Sequence, residues 1–325
     1  MTFELKDIYL TSSCVVAGDL EGKGPLKDYF DSIDECKDSC FENSEIDILS
    51  KAIDMLLEKE NLKIEDISLA IGGELSNQLT TSSYTFRCLP IGLIGIYAAC
   101  STITLGLGVA GLLLNNKDIQ NILVFTSSHN QSAERQFRNP VEYGGNKEET
   151  QTFTSTIGAS ALLSKQKNKL KLSCFTLGKV IDVGFTDACD FGRAMAPAAL
   201  ETLFSHFRST QTTPEDYDLI LTGDLSKYGY EIVKKALEEE YGSAMNYSDC
   251  GLLLYDIKQQ NVLAGGSGPG TSAAVLLSYV KKRMLAGYYK KVLLCATGAL
   301  MNPTMINQKN SLPCIAHAIV MEVAE

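Results

Sequence analysis

Three histidines, no CxxC pair and a shortage of positive charge are the absences that first narrow this 325-residue chain. His129, His206 and His317 stand far apart, and none pairs with another at ligand spacing, so no metal site is expected. Ten cysteines are present, yet only Cys36 and Cys40 lie close together. Spread singly along a chain of this length, they read as reduced, mostly buried thiols of an intracellular protein. Lys and Arg number 29 against 39 Asp and Glu, a net charge of −10. That balance excludes the basic stripe of an extended nucleic-acid interface. The opening residues, Met1 to Asp7, lack the apolar stretch of an export signal.

What is present is globular. The chain is 45% hydrophobic, and its length fits two domains or one large duplicated one. From Cys88 to Asn116 no residue is charged, which is longer than the roughly 20 residues of a bilayer crossing. Pro90, five glycines and the central Cys100-Ser101-Thr102 interrupt that run where a strand would turn into a helix. The segment therefore predicts a buried strand followed by a buried helix.

A duplication organises the rest. Ile67–Gln78 (ISLAIGGELSNQ) and Tyr217–Tyr228 (YDLILTGDLSKY) both run from an apolar strand into Gly-acid-Leu-Ser, placing Gly73 over Gly223 and Glu74 over Asp224. Asn121–Ser128 (NILVFTSS) lies over Lys291–Gly298 (KVLLCATG), and the same offset superposes the helix after Cys100 on the helix after Gly270. Asp7–Val16 and Lys171–Lys179 are the expected first strands. Ser44–Lys59 is amphipathic, with Ile46, Leu49, Ile53, Leu56 and Leu57 on one face. Glu231–Tyr241 is its expected counterpart in the second half, and Thr156–Ser164 closes the first. Two such α/β units pack most simply as a five-layered, pseudo-twofold αβαβα fold, with halves 1–168 and 169–325 meeting near Asn168.

Cys100 heads the candidate residues. It opens the helix Thr102–Leu114, where the positive end of a helix dipole favours a thiolate and hence a nucleophile; the alternative is a small thiol filling a turn. His129 and Asn130 end a strand on the same sheet edge, the end at which α/β folds place ligands. His317 lies on an apolar strand. Glu134–Lys147 is a long polar stretch carrying Arg135 and Arg138, whose guanidinium forks suit carboxylates, while Phe137 or Tyr143 could stack on an aromatic ring. It reads equally as a solvated loop or a dimer contact. Gly265–Gly270 is a glycine-rich turn before a helix, and Asp182–Pro197 is a second glycine-bearing loop with Arg193 as a possible anion contact.

Ala98-Ala99-Cys100-Ser101-Thr102 opening a buried helix in a duplicated α/β chain resembles the thiolase and ketoacyl-synthase fold. Longer strings are more specific: EGKGPLKDYFD (Glu21–Asp31), AMAPAA (Ala194–Ala199), LTGDLSKYG (Leu221–Gly229), GGSGPG (Gly265–Gly270) and SLPCIAHA (Ser311–Ala318) resemble the stage V sporulation protein AD family. That resemblance implies a thiolase-like protein that binds dipicolinic acid, with or without calcium, during its uptake into the developing spore. It also implies a peripheral position on the spore inner membrane beside integral channel subunits, no cofactor, and a homodimer as an option. Ketoacyl synthases carry His-Gln-Ala-Asn where this chain has Gly223-Asp224-Leu225-Ser226, and an asparagine where it has Gly270. With both activating partners missing, the resemblance implies a non-enzymatic ligand site lined by Cys100, His129, Asn130, Arg138, Arg193, Gly298 and His317. Cys314 matches the acid/base thiol of thiolases. The alternatives are an acyltransferase with Cys100 as nucleophile, in which His129 or His317 supplies the base, and a scaffold with a vestigial pocket.

Overall fold

The structure, a computed structural model, describes residues 1–36, 40–137 and 147–324. Its strands are β1 (Thr2–Gly18), β2 (Ser32–Asp34), β3 (Leu69–Gly73), β4 (Leu93–Gly95), β5 (Asn121–Ser128), β6 (Phe153–Thr154), β7 (Ile157–Ser164), β8 (Leu170–Thr176), β9 (Leu219–Thr222), β10 (Tyr247–Asp249), β11 (Gly266–Ser267), β12 (Lys291–Ala299) and β13 (Cys314–Val323). The principal helices are α1 (Phe41–Glu60), α2 (Thr80–Phe86), α3 (Thr102–Leu113), α4 (Asn130–Phe137), α5 (Phe191–Thr210), α6 (Ser226–Tyr241), α7 (Cys250–Leu254) and α8 (Pro269–Ala274). A π-helical stretch, Val275–Val280, carries α8 on into Lys281–Leu285.

The strands run β4-β3-β5-β7-β1 and then β8-β13-β12-β9-β10. Each half thus has the order third, second, fourth, fifth, first, and the two first strands pair antiparallel at the centre. In both halves the fifth strand is antiparallel to its neighbours and the others follow parallel crossovers. The predicted duplication is the architecture.

Period-two alternation divides each sheet between two cores. Ile122 and Val124 of β5, with Val292, Leu294 and Ala296 of β12, face a central core containing Ile103, Leu107 and Ala110 of α3 and Ala273 to Leu277 of the α8 helix. Leu123 and Phe125 face the other way, onto α1. Leu293 and Cys295 face α5 and α6. The layers are therefore α1, sheet, α3 with α8, sheet, and α5 with α6, the five-layered thiolase-like arrangement expected.

Several local expectations need correction. The second-half counterpart of α1 is α5, which precedes β9 as α1 precedes β3, while α6 corresponds to the short α2. Phe191–Pro197 reads as a loop because of Gly192 and Pro197, yet it forms the first turns of α5. Asp190 caps that helix by accepting from the Arg193 amide at 3.0 Å. In α1 the buried stripe takes Ile48 and Glu45, and Ile46 is only half-buried. The strand before Cys100 is an exposed sheet edge: Leu93 and Ile94 of β4 are 37% and 38% exposed. The helix after it is buried as predicted. No helix among the described residues is long and apolar enough to cross a membrane.

Glycine sets how closely α3 approaches the sheets. A Cβ on Gly108 would lie 2.2–2.4 Å from three ring atoms of Phe175, which is itself fully buried. Helix propensity favours alanine by about 1 kcal/mol, whereas overpacking costs about 1–3 kcal/mol, and contacts this short give the steric side the advantage. Gly108→Ala should therefore unfold at lower urea concentration than the parent, with an unchanged m-value. An equal or higher midpoint would refute this account of the packing.

Candidate functional site

Cys100 sits in a tight turn pinned to the opposite half. Ala98 has φ −141° and Ala99 enters the left-handed region at φ 47°, after which Ala99–Ser101 forms one 3₁₀ turn leading into α3. The Ser101 hydroxyl donates to the Ala296 carbonyl on β12 at 2.8 Å and accepts from the His317 amide on β13 at 3.1 Å. Gly298 makes this approach possible. A Cβ there would lie 2.4 Å from the Ala98 carbonyl and 3.2 Å from the Cys100 nitrogen. The mirrored contact in the other half sets Gly268 against Ser128.

The Cys100 thiol borders a small cavity, open in part to solvent. Tyr97, Ala133 and Phe137 of the first half and Phe191, Ala299 and Met301 of the second supply most of its wall. The polar neighbour is Ser267, whose hydroxyl lies 4.0 Å from the sulfur. Behind it stands Asp224, fully buried. Its carboxylate accepts from the Ser267 hydroxyl at 2.9 Å, the Thr297 hydroxyl at 2.7 Å and the Gly268 amide at 3.2 Å.

This surround reverses the electrostatics expected of Cys100. Burial, followed by the Asp224 carboxylate, pushes the thiol well above its usual range, outweighing the help of nearby donors and of the helix end. Asp224 is itself raised by burial, although hydrogen bonds from the Cys100 thiol, Thr297, Ser267 and the Gly268 amide pull it part of the way down. Negative charge on that carboxylate, beside the sulfur, opposes a thiolate.

The sequence does not single out Asp224 and Ser267, because the resemblance points to Gly223 and Gly270 instead. Gly223 packs on Ala296 and Thr297, and Gly270 on Ile157 and Ser128. The signal for Asp224 was available: it is the buried acid that the duplication pairs with Glu74.

The other candidates are placed as follows. His129 is buried outside this cavity, its ring stacked on Phe41 at 6.0 Å. It packs near Glu45, Ser132 and Gln136 around a crevice with no room for a ligand. Burial pulls its pKa down to about 4. Asn130 spends its side-chain amide on the Thr154 carbonyl at 3.1 Å. His317 accepts from the Gly178 amide at 3.1 Å, and burial holds it near 4 as well. Arg193 does not line the cavity, being held in an ion pair with Asp190 and stacked 4.6 Å from the Tyr228 ring centroid. Gly298 supports the turn from behind. Cys314 is buried, and its thiol is pushed up to about 12, unlike an acid/base group tuned to neutral pH. Arg138 and Tyr143 lie outside the described residues.

Comparison with known proteins agrees with this architecture. Residues 1–322 match the family described as Stage V sporulation protein AD (SpoVAD). Stage V sporulation protein AD of Bacillus subtilis (strain 168) is 43% identical over 321 residues, covering 98% of this chain and 95% of that protein. The chain belongs to this family. Its name refers to sporulation and not to a reaction. Solved structures that are alike in fold are those of enzymes. Cerulenin-bound OleA of Xanthomonas campestris has a TM-score of 0.64 at 13% identity, covering 98% of each chain. The 3-oxoacyl-[acyl-carrier-protein] synthase III of Aquifex aeolicus VF5 has a TM-score of 0.55 at 12% identity, covering 97% of this chain and 99% of that one.

The first half of this family member repeats the buried acid without repeating the cysteine contact. Glu74 accepts from Ser82, and Glu45 accepts from the Ser127 hydroxyl at 2.9 Å. Burial, then the neighbouring Glu74, raises Glu45 to about 8. Glu45 is therefore protonated in the native protein at neutral pH. Because the native state holds that proton more tightly than the unfolded chain, its contribution is complete below about pH 4.5 and is lost as pH rises through 8. Thermal unfolding should show a falling Tm from pH 5 to pH 8, and Glu45→Gln should flatten that fall. Parallel curves for parent and variant would disprove the assignment.

Proposed function

We propose that the chain binds dipicolinic acid in the Cys100 cavity, as part of its uptake into the developing spore, and does so without acyl-transfer chemistry. The observation that carries this reading is the buried, hydrogen-bonded Asp224–Ser267 pair beside a thiol that burial raises well above its usual range. A decarboxylating condensation needs donors aimed at a developing oxyanion, together with a thiolate. The polar groups beside Cys100 are instead turned inward on Asp224.

The cavity has the right character for a planar heteroaromatic ring. Tyr97, Phe137 and Phe191 offer aromatic wall in an otherwise mainly apolar lining. No described lining residue is cationic, and Asp224 lies just behind the wall. These features favour the uncharged 1:1 calcium chelate over the free dianion. Calcium would then travel with the ligand, its charge already met by the two carboxylates. The same reading places the protein peripherally on the spore inner membrane, passing ligand to integral channel subunits.

The exposed β4 edge suggests the occupant of a second surface. Leu93 and Ile94 of β4, whose outer edge has no strand partner among the described residues, and Tyr97 just after it are 37%, 38% and 45% exposed, and a second copy offering the same edge would cover all three in an isologous pair. Tyr97 also lines the cavity, so dimerisation would help to shape the site.

Calorimetry should show dipicolinate binding that strengthens about tenfold when calcium is present, and Phe191→Ala should weaken it about tenfold, the loss of one aromatic wall. An absence of binding with and without calcium, or full affinity in both Phe191→Ala and Phe137→Ala, would sink the assignment. Acyl-coenzyme A thioesters of several chain lengths should leave Cys100 unmodified by mass spectrometry. An adduct on that thiol would instead establish the acyltransferase alternative. Sedimentation should give a dimer for the parent and a monomer for Ile94→Lys, and a monomeric parent would remove the edge-pairing proposal.

A further inference from the structure

The positive charge of this acidic chain is concentrated at one end of the fold. Residues 281–291, KKRMLAGYYKK, hold five Lys and Arg and no acid, and residues 165–171, KQKNKLK, hold four Lys and no acid. These two segments contain nine of the 29 basic residues. Far apart in sequence, they are brought together by the end of β13. The Val323 amide donates to the Lys290 carbonyl and the Ala324 amide to the Lys169 carbonyl, each at 2.8 Å. The two loops therefore flank the same strand end.

Part of this charge is already engaged. Lys281 is buried and donates to the Ser13 carbonyl at 3.2 Å, while Lys171 and Lys291 share Glu322 at 3.4 and 3.6 Å. Asp218 accepts from the Lys290 and Lys291 amides. Lys165, Lys167, Lys169, Lys282, Arg283 and Lys290 have no carboxylate partner among the described residues, and the Arg283 Nε is left without an acceptor. Aromatic surface accompanies the charge. The Arg283 guanidinium lies 3.5 Å from the Tyr288 ring centroid, and Tyr288 is 62% exposed beside Leu285 at 50%.

We propose that this basic and aromatic end of the molecule docks directly on an anionic phospholipid surface. Lys and Arg without carboxylate partners meet phosphate headgroups without needing a shaped groove, and an exposed tyrosine beside leucine suits the boundary between headgroup and acyl chain. With a net charge of −10 the chain as a whole is repelled by an anionic surface, so a locally basic cluster also favours one orientation. Lys291 opens β12 and Ala299, at its far end, lines the Cys100 cavity. The strand between them spans about 26 Å. Docked in this way, the protein holds the cavity away from the lipid. The inference extends the peripheral-membrane reading to direct lipid contact and is independent of what the cavity binds.

The test is flotation of the full chain with phosphatidylcholine vesicles, with and without 30 mol% phosphatidylglycerol, at low and physiological salt. Binding should require phosphatidylglycerol and weaken with salt. It should fall at least tenfold in a Lys165→Glu, Lys167→Glu, Lys290→Glu triple variant, whose substituted side chains are all exposed. A control with Lys235→Glu, Lys258→Glu and Lys309→Glu has the same net charge and should lose much less. Dipicolinate affinity, measured on the same samples, should be unchanged in the first variant, which separates failure here from failure of the ligand assignment. Equal losses in the two triple variants, or no binding to phosphatidylglycerol vesicles by the parent, overturn the proposal. Retention on immobilised polyglutamate without vesicle binding overturns it too, by assigning the cluster to an acidic protein.

Discussion

The antiparallel ladder between β1 and β8 is the constraint on which everything else in this molecule rests. It sets Thr2 opposite Thr176 and Tyr9 opposite Lys171, and so joins two five-stranded sheets about a pseudo-twofold axis. Neither half could bury its inner face alone, because that face is covered by α3 and α8, which lie between the two sheets. Once the ladder is formed, each half's strand-to-helix turn is carried onto the other half. Cys100 thereby meets Ser267 and Asp224, residues from the far end of the sequence.

That meeting determines what the site can do. A cysteine at a helix N-terminus is commonly a nucleophile because dipole and base act together. Here a buried carboxylate occupies the neighbouring position and turns the nearest hydroxyls and amide toward itself. The sulfur is left as one element of an apolar wall. The solved structures alike in fold at 12–13% identity share the scaffold, and a scaffold alone does not transmit a reaction.

Much of the architecture was legible because duplication writes itself twice. The Gly-acid-Leu-Ser strings and the NILVFTSS–KVLLCATG pair located β3, β9, β5 and β12, and the Cys100 turn followed from an uncharged run interrupted by glycine. What escaped was whatever depends on the third dimension. Burial of β4 could not be inferred from apolar composition, since an edge strand that awaits a partner has the same residues as one already covered. The start of α5 was hidden by Gly192 and Pro197, whose local preference was overruled by packing on β12 and β13. In the candidate site, position along the chain put Cys100 at the turn before α3, where it borders the cavity. Direction of side chains did not follow from it: the resemblance drew the comparison to Gly223 and Gly270, while Ser267, backed by Asp224, lies nearest the sulfur. Arg193 looked like an anion contact until Asp190 and Tyr228 were seen to occupy it.

The way Asp224 is held also bears on the history of such a site. Three donors converge on one carboxylate, from Ser267, Thr297 and the Gly268 amide. Replacing Asp224 by histidine would leave those donors without their carboxylate acceptor inside a buried network. Single substitutions there are each costly, so the network changes only by several made together. The apolar lining in front of it is freer: a descendant of this chain can drift in the residues that wall the cavity far more easily than in the carboxylate behind them.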